Sequence, residues 1–157
     1  MFSIQLTTEI KAFWQRYCQE ENLDWQKTSY QAWAFGDSPV MAEELLALVL
    51  SGQKTGTSSA YQAYEDGDEP LPQVTDLSII LNGQGQPVCL IQTTSVEISP
   101  FNQVSEIQAF KEGEGDRTLA YWQTVHQEFW EREFQGSTLT FKPEMLIVYE
   151  EFKVIFQ

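Results

Sequence analysis

The chain has 157 residues, with 23 Asp and Glu against 9 Lys and Arg, a formal net charge of −14. At this length one domain is expected, and 42 % aliphatic and aromatic residues suffice for a packed core rather than a disordered chain. Tight binding to a long nucleic-acid backbone or to an anionic membrane surface needs several cations, so the charge argues against both and against duplex DNA, while leaving room for one nucleoside or a short single strand.

Residues 8–20 place Ile10, Phe13, Trp14 and Tyr17 at helical spacing and predict a first amphipathic helix. Ser38-Pro39 reads as an N-cap with proline at the first helical position. The helix it opens runs through Met41, Leu45, Leu46, Leu48 and Val49 and stops near Gly52. Residues 54–61 turn into a strand, and 65–73 form an exposed loop rich in Glu, Asp, Gly and Pro. Strands at Asp76–Leu81 and Val88–Ile98 flank a hairpin loop at 82–86. A short helix is expected over Phe101–Phe110, then a loop at 112–116 whose Asp116 caps a helix over about 117–134. Met145–Phe156 reads as a final strand. Strands and helices are segregated, so the class is α+β.

Cys18 and Cys89 are far apart, and His126 is the single histidine, so neither a disulfide framework nor a metal or cofactor site is expected. No apolar run is long enough to span a membrane, and the first residues lack the pattern of a signal peptide. A reduced, cytoplasmic protein is expected.

Three features offer chemistry. Lys54 is the only basic residue between Lys27 and Lys111, and it sits among Thr55, Thr57, Ser58 and Ser59. In a low-dielectric pocket a lysine can lose its proton and act as base towards a hydroxyl; equally, a lysine just past a helix end is favoured by the macrodipole. Glu112, Glu114 and Asp116 are held close by two glycines, which suits either general acid–base work or a solvated, capping loop. Trp33, Phe35 and Tyr61 can stack a nucleobase or fill the core. His126, on the apolar side of its helix, reads as a hydrogen-bonded packing residue, and Gly83 and Gly85 form no dinucleotide fingerprint.

Four segments together are more specific than any one of them. These are Trp33-x-Phe35-Gly36-Asp37-Ser38-Pro39, Gly52-x-Lys54-Thr55-x-Thr57, Leu77-Ser78-Ile79-Ile80-Leu81 and Glu112-Gly113-Glu114-Gly115-Asp116-x-x-Leu119-x-x-Trp122. In this order and spacing they resemble the ASCH domain family, and more closely its bacterial single-domain members with an added N-terminal helical segment. The resemblance implies a PUA-like fold, a small β-barrel flanked by helices, with residues 1–29 as the extension and 30–157 as the core. It implies that the Lys54 loop and the acidic loop face each other across a cleft.

PUA-like domains generally bind RNA, some ASCH proteins act as ribonucleases, and small bacterial relatives hydrolyse the acetyl amide of acetylated cytidine. In those relatives a lysine, the threonine three residues later and a glutamate from a later loop act together. Carried over, these are Lys54, Thr57 and, through Ala109-x-x-Glu112-Gly113, Glu112, with Glu114 as the alternative. Glu114, Trp33, Phe35, Thr55 and Tyr61 are then the expected substrate contacts. The arginine two residues after the threonine of the relatives is Ser59 here, which points to a different substrate. The implied activity is amide hydrolysis on a small acylated nucleoside, with Thr57 as nucleophile, Lys54 as base and Glu112 assisting proton transfer to the leaving amine. The alternatives are an RNA- or nucleotide-binding regulatory module and a ribonuclease. The aromatic first helix is expected either to pack on the barrel or to form a homodimer contact.

Overall fold

The computed structural model describes residues 6–65, 67 and 69–157. Met1–Gln5, part of the segment read for a leader pattern, and Asp66 and Asp68 of the expected 65–73 loop lie outside the described residues.

Helix α1 (Thr8–Glu20) is capped by Thr7, whose Oγ1 accepts from the Ile10 amide. Ile10, Phe13, Trp14, Tyr17 and Cys18 recur on one stripe of it and are buried. Strand β1 (Gln31–Trp33) follows, then α2 (Pro39–Ser51), β2 (Gly56–Ala60) and the single turn α3 (Gln62–Glu65). Ser38 caps α2 by accepting from the Met41 amide, and Gly52 ends it at φ +84°, a backbone value that glycine adopts without strain. Strands β3 (Leu77–Leu81) and β4 (Pro87–Pro100) form the expected hairpin. After them come α4 (Glu106–Glu112), α5 (Leu119–Glu133) and β5 (Leu146–Phe156).

The five strands form one sheet in the order β1-β3-β4-β5-β2. β1 runs parallel to β3 and the other pairings are antiparallel. The long β4–β5 pair carries irregularities at Leu90/Ile91 and Thr93/Ser95. Such bulges increase local twist, and the sheet curls into an α+β half-barrel.

Alternation along the strands assigns the two faces. Ile79, Leu81 and Leu90 pack on the buried stripe of α1, whereas Ile80, Cys89 and Ile91 pack on Leu46 and Val49 of α2. The stripe of α1 is thus spent on its own sheet, with Phe13 and Tyr17 edge-on to Phe156. At the β2 end of the sheet, Ala60 and Ile147 meet Trp122 and Trp130 of α5.

Two expectations are corrected. Phe101–Phe110 is not one helix: a 3-10 turn (Phe101–Gln103) is followed by a new start at Ser105, whose capping box with Gln108 opens α4. Glu112 is therefore the last residue of a helix and is buried, not the first residue of the loop. Nor does Asp116 cap α5. Thr118 does, accepting from the Tyr121 amide, while Asp116 Oδ1 accepts from Thr118 N at 2.9 Å and Oγ1 at 2.6 Å and so fixes the cap.

Candidate active site

The C-terminal end of α4 is clamped against the segment leaving α2. Thr55 N donates to Lys111 O at 2.8 Å, and Phe152 N donates to Thr55 O at 3.1 Å. Gln53 Nε2 donates to Gly113 O at 2.7 Å, and Arg117 Nη2 to Gln53 O at 3.4 Å. A Cβ on Gly113, at φ +75°, would stand 2.5 Å from Gln53 O. Only glycine allows this approach, and beside it Lys54 is 2 % exposed.

A buried ammonium is costly unless each of its protons finds an acceptor. Lys54 Nζ has three: Gly56 O at 2.9 Å, Glu112 O at 3.3 Å and Glu114 Oε2 at 3.0 Å. The Phe35 ring lies 5.5 Å from it, within cation–π range.

Glu112 is 1 % exposed. Its Oε2 accepts from Ser58 Oγ and from Trp122 Nε1, both at 2.6 Å. Its Oε1 accepts no well-aligned hydrogen bond; His126 Nε2 lies 3.2 Å from it and Lys54 Nζ 3.7 Å. Burial pushes the Glu112 carboxyl up, but His126, Lys54 and Ser58 together overturn that effect and hold it at about 2. Burial pushes the His126 imidazole down, and the Glu112 carboxylate 3.2 Å away, with Glu114, lifts it above its ordinary value.

This cluster opens onto a cavity of about 320 Å³. Thr57, Ser58 and Ser59 of β2 supply hydroxyls, Phe35, Phe129 and Trp130 supply aromatic faces, and Tyr64 Oη lies 2.8 Å from Ser59 Oγ. Glu69, Glu112, Glu114 and Glu133 all line it, against the single lysine.

Of the residues singled out in the sequence, Lys54, Thr57, Glu112, Glu114 and Phe35 come together around this cavity. Trp33, Thr55 and Tyr61 are not among its lining residues. Trp33 is buried in the α2 core, its ring edge-on to Phe35 at 4.6 Å. Thr55 Oγ1 turns to Lys111 O, and Tyr64, three residues on, takes the lining position expected of Tyr61. Ser58, a hydroxyl beside Lys54, Trp122, part of the 112–122 motif, and His126, read as a hydrogen-bonded packing residue, have no site role in the sequence reading but join the cluster; Trp122 and His126, four apart on one helix, are spaced to meet.

Glu112, Glu114 and His126 each bring one potential ligand atom within 4.8 Å of the others. Lys54 Nζ lies 3.7 Å from Glu112 Oε1 and 3.0 Å from Glu114 Oε2, so the chain's own lysine already supplies positive charge to both carboxylates.

Residues 31–156 match the family model of the ASCH domain. The structure is similar to that of an Enterococcus faecalis protein assigned to DUF984, at 39 % identity and TM-score 0.89 over 96 % of this chain and 90 % of that one. It is also similar to an ASCH domain from Lactobacillus crispatus, at 33 % identity and TM-score 0.86 over 99 % of this chain and 100 % of that one. No curated protein matches the chain. The curled sheet is PUA-like, as the sequence resemblance implied. With a family match over most of its length and relatives this similar across nearly all of it, the chain belongs to the ASCH domain family.

Proposed function

We propose that the chain hydrolyses the amide of a small acylated nucleoside such as acetylcytidine. The observation that carries this reading is a buried lysine–glutamate cluster opening onto a cavity lined by hydroxyls and aromatic rings. A cavity of about 320 Å³ falls at the small end of ligand pockets, near ~300 Å³, which favours a nucleoside over a polymer. Four lining carboxylates against one lysine disfavour a phosphate.

In the proposed mechanism Thr57 Oγ attacks the acyl carbonyl carbon. The sequence-based role of Lys54 as a neutral base is set aside, because all three of its N–H donors are engaged. Glu112, held at about 2 and enclosed by donors, is equally unsuited to exchange protons near neutrality. Glu114, whose side chain is 16 % exposed, takes the Thr57 proton and delivers it to the leaving amine, which departs as the C–N bond breaks. Water then attacks the acyl-Thr57 ester. Glu114 removes the water's proton and returns it to Thr57 Oγ, releasing the carboxylic acid. Lys54 keeps the Glu114 carboxylate in position throughout.

The reading is tested by incubating purified protein with acetylcytidine and separating the products. Thr57→Val and Glu114→Gln are each expected to slow cytidine release by about 10²–10⁴-fold while the protein stays folded. Full activity in either variant refutes the roles given to that residue.

A further inference from the structure

We infer that the His126 imidazolium is the positioning residue that sets the pH range of this site, holding Glu112 and, through it, Lys54, and releasing both when it loses its proton. The inference rests on the proposed activity only for its effect on rate; the positioning itself is read from geometry.

His126 Nδ1 lies 2.9 Å from Trp122 O. A carbonyl oxygen has no proton to give, so this contact favours the neutral tautomer with its hydrogen on Nδ1. The neutral ring then turns a bare Nε2 lone pair towards Glu112 Oε1, 3.2 Å away, and two acceptors repel. Only the imidazolium puts a proton between them. The ring has little freedom to turn away, because it stacks on Trp122 at 4.2 Å and 19° and faces Trp130 at 5.4 Å. Trp122 donates to the other Glu112 oxygen, so this pair of residues faces both oxygens of one carboxylate.

The charged groups facing His126 are Glu112 at the end of α4 and Glu114 in the loop after it, and Lys54, ahead of β2, contacts both of those carboxylates. On its own helix, the Trp122 carbonyl and indole complete the surroundings. With His126 charged, two cations balance two carboxylates. With His126 neutral, one buried negative charge is uncompensated, and Lys54 Nζ, 3.7 Å from Glu112 Oε1, becomes the sole cation available to that oxygen. Lys54 is then drawn from Glu114, the proposed proton carrier. The side chain of His126 is 11 % exposed and lines the cavity, so its proton exchanges with solvent.

The single histidine makes the test direct: one imidazole Cε1–H signal titrates in the NMR spectrum of untagged protein. Its midpoint is expected above the ordinary ~6.5 of an imidazole, and the Trp122 Nε1–H signal, identified by Trp122→Phe, is expected to move with the same midpoint. Glu112→Gln should bring the midpoint below ~6.5. On acetylcytidine, kcat/KM should fall on the alkaline side with the same midpoint, and His126→Gln, whose amide can donate to Glu112 at any pH, should flatten that fall. A histidine midpoint at or below ~6.5, or a Trp122 signal indifferent to it, overturns the positioning role whether or not the protein turns over. A correct titration without turnover upholds the positioning role and refutes only the proposed function.

Discussion

Glu112→Gln is the substitution with the most specific expected signature. The amide has one acceptor and one donor end where the carboxylate has two acceptors. If its oxygen keeps the hydrogen bonds from Ser58 and Trp122, its NH2 faces the charged His126 Nε2 and Lys54 Nζ; if it flips, its NH2 faces the Trp122 indole N–H. Near pH ~5.5 either orientation sets donor against donor and leaves buried cations short of a counter-charge, a loss of about 3–5 kcal/mol. Holding Glu112 at about 2 instead of 4.5 corresponds to a similar amount, about 3 kcal/mol at ~1.36 kcal/mol per unit.

The cost should depend on pH, with a definite sign. The raised His126 contributes stability that is fully present below ~6.5 and is lost as pH rises through its folded value. The lowered Glu112 contributes stability present above 4.5 and lost as pH falls towards about 2. Both are in force between ~4.5 and ~6.5. Above the His126 value, a neutral imidazole accepts from the Gln NH2, which removes the His126 part of the mismatch and leaves the Lys54 part. Urea denaturation near pH ~5.5 should show the variant's midpoint lower by about 1.5 M or more, at ~2 kcal/mol/M. Near pH ~9 the gap should be narrower by at least about 1.4 kcal/mol. Glu150, which burial raises to about 7, titrates in the same range but in both proteins, and cancels in the difference. An equal gap at both pH values refutes the paired charges.

Other substitutions separate the supports of the site. Trp122→Phe keeps the ring packing but removes a charge-assisted hydrogen bond to a buried carboxylate, and should cost about 1.5–3 kcal/mol by denaturant titration. Gly113→Ala combines a left-handed backbone, about 1–2 kcal/mol, with a contact on Gln53 O, and should lower Tm by about 4–8 °C and abolish turnover. Thr118→Ala removes the α5 cap and should cost about 1 kcal/mol, without altering the pH profile of activity.

The framework was legible because local chemistry specifies it. The stripe of α1, the Ser38-Pro39 start and Gly52 stop of α2, and the strands at 77–81 and 146–156 follow from spacing and caps. The break at 101–112 was written in the capping box Ser105-x-x-Gln108 but was masked by apolar residues on either side. The burial of Glu112 was not legible. A carboxylate between a lysine and a glycine reads as surface, and its partners come from positions 54, 58, 122 and 126, brought together only by the fold. Lys54 was visible as an isolated cation, but two of its three acceptors are backbone carbonyls, which no side-chain pattern announces. The exchange of Tyr61 for Tyr64 has the same origin: the residues after β2 wind into α3, which turns the later tyrosine to the cavity.

The most direct measurement compares cytidine release from acetylcytidine by the wild-type chain and by Lys54→Met, under identical conditions and with folding checked by circular dichroism. Release by the wild type that vanishes in the variant is the expected result. Equal release by both, or none by the wild type, contradicts amide hydrolysis at this cluster.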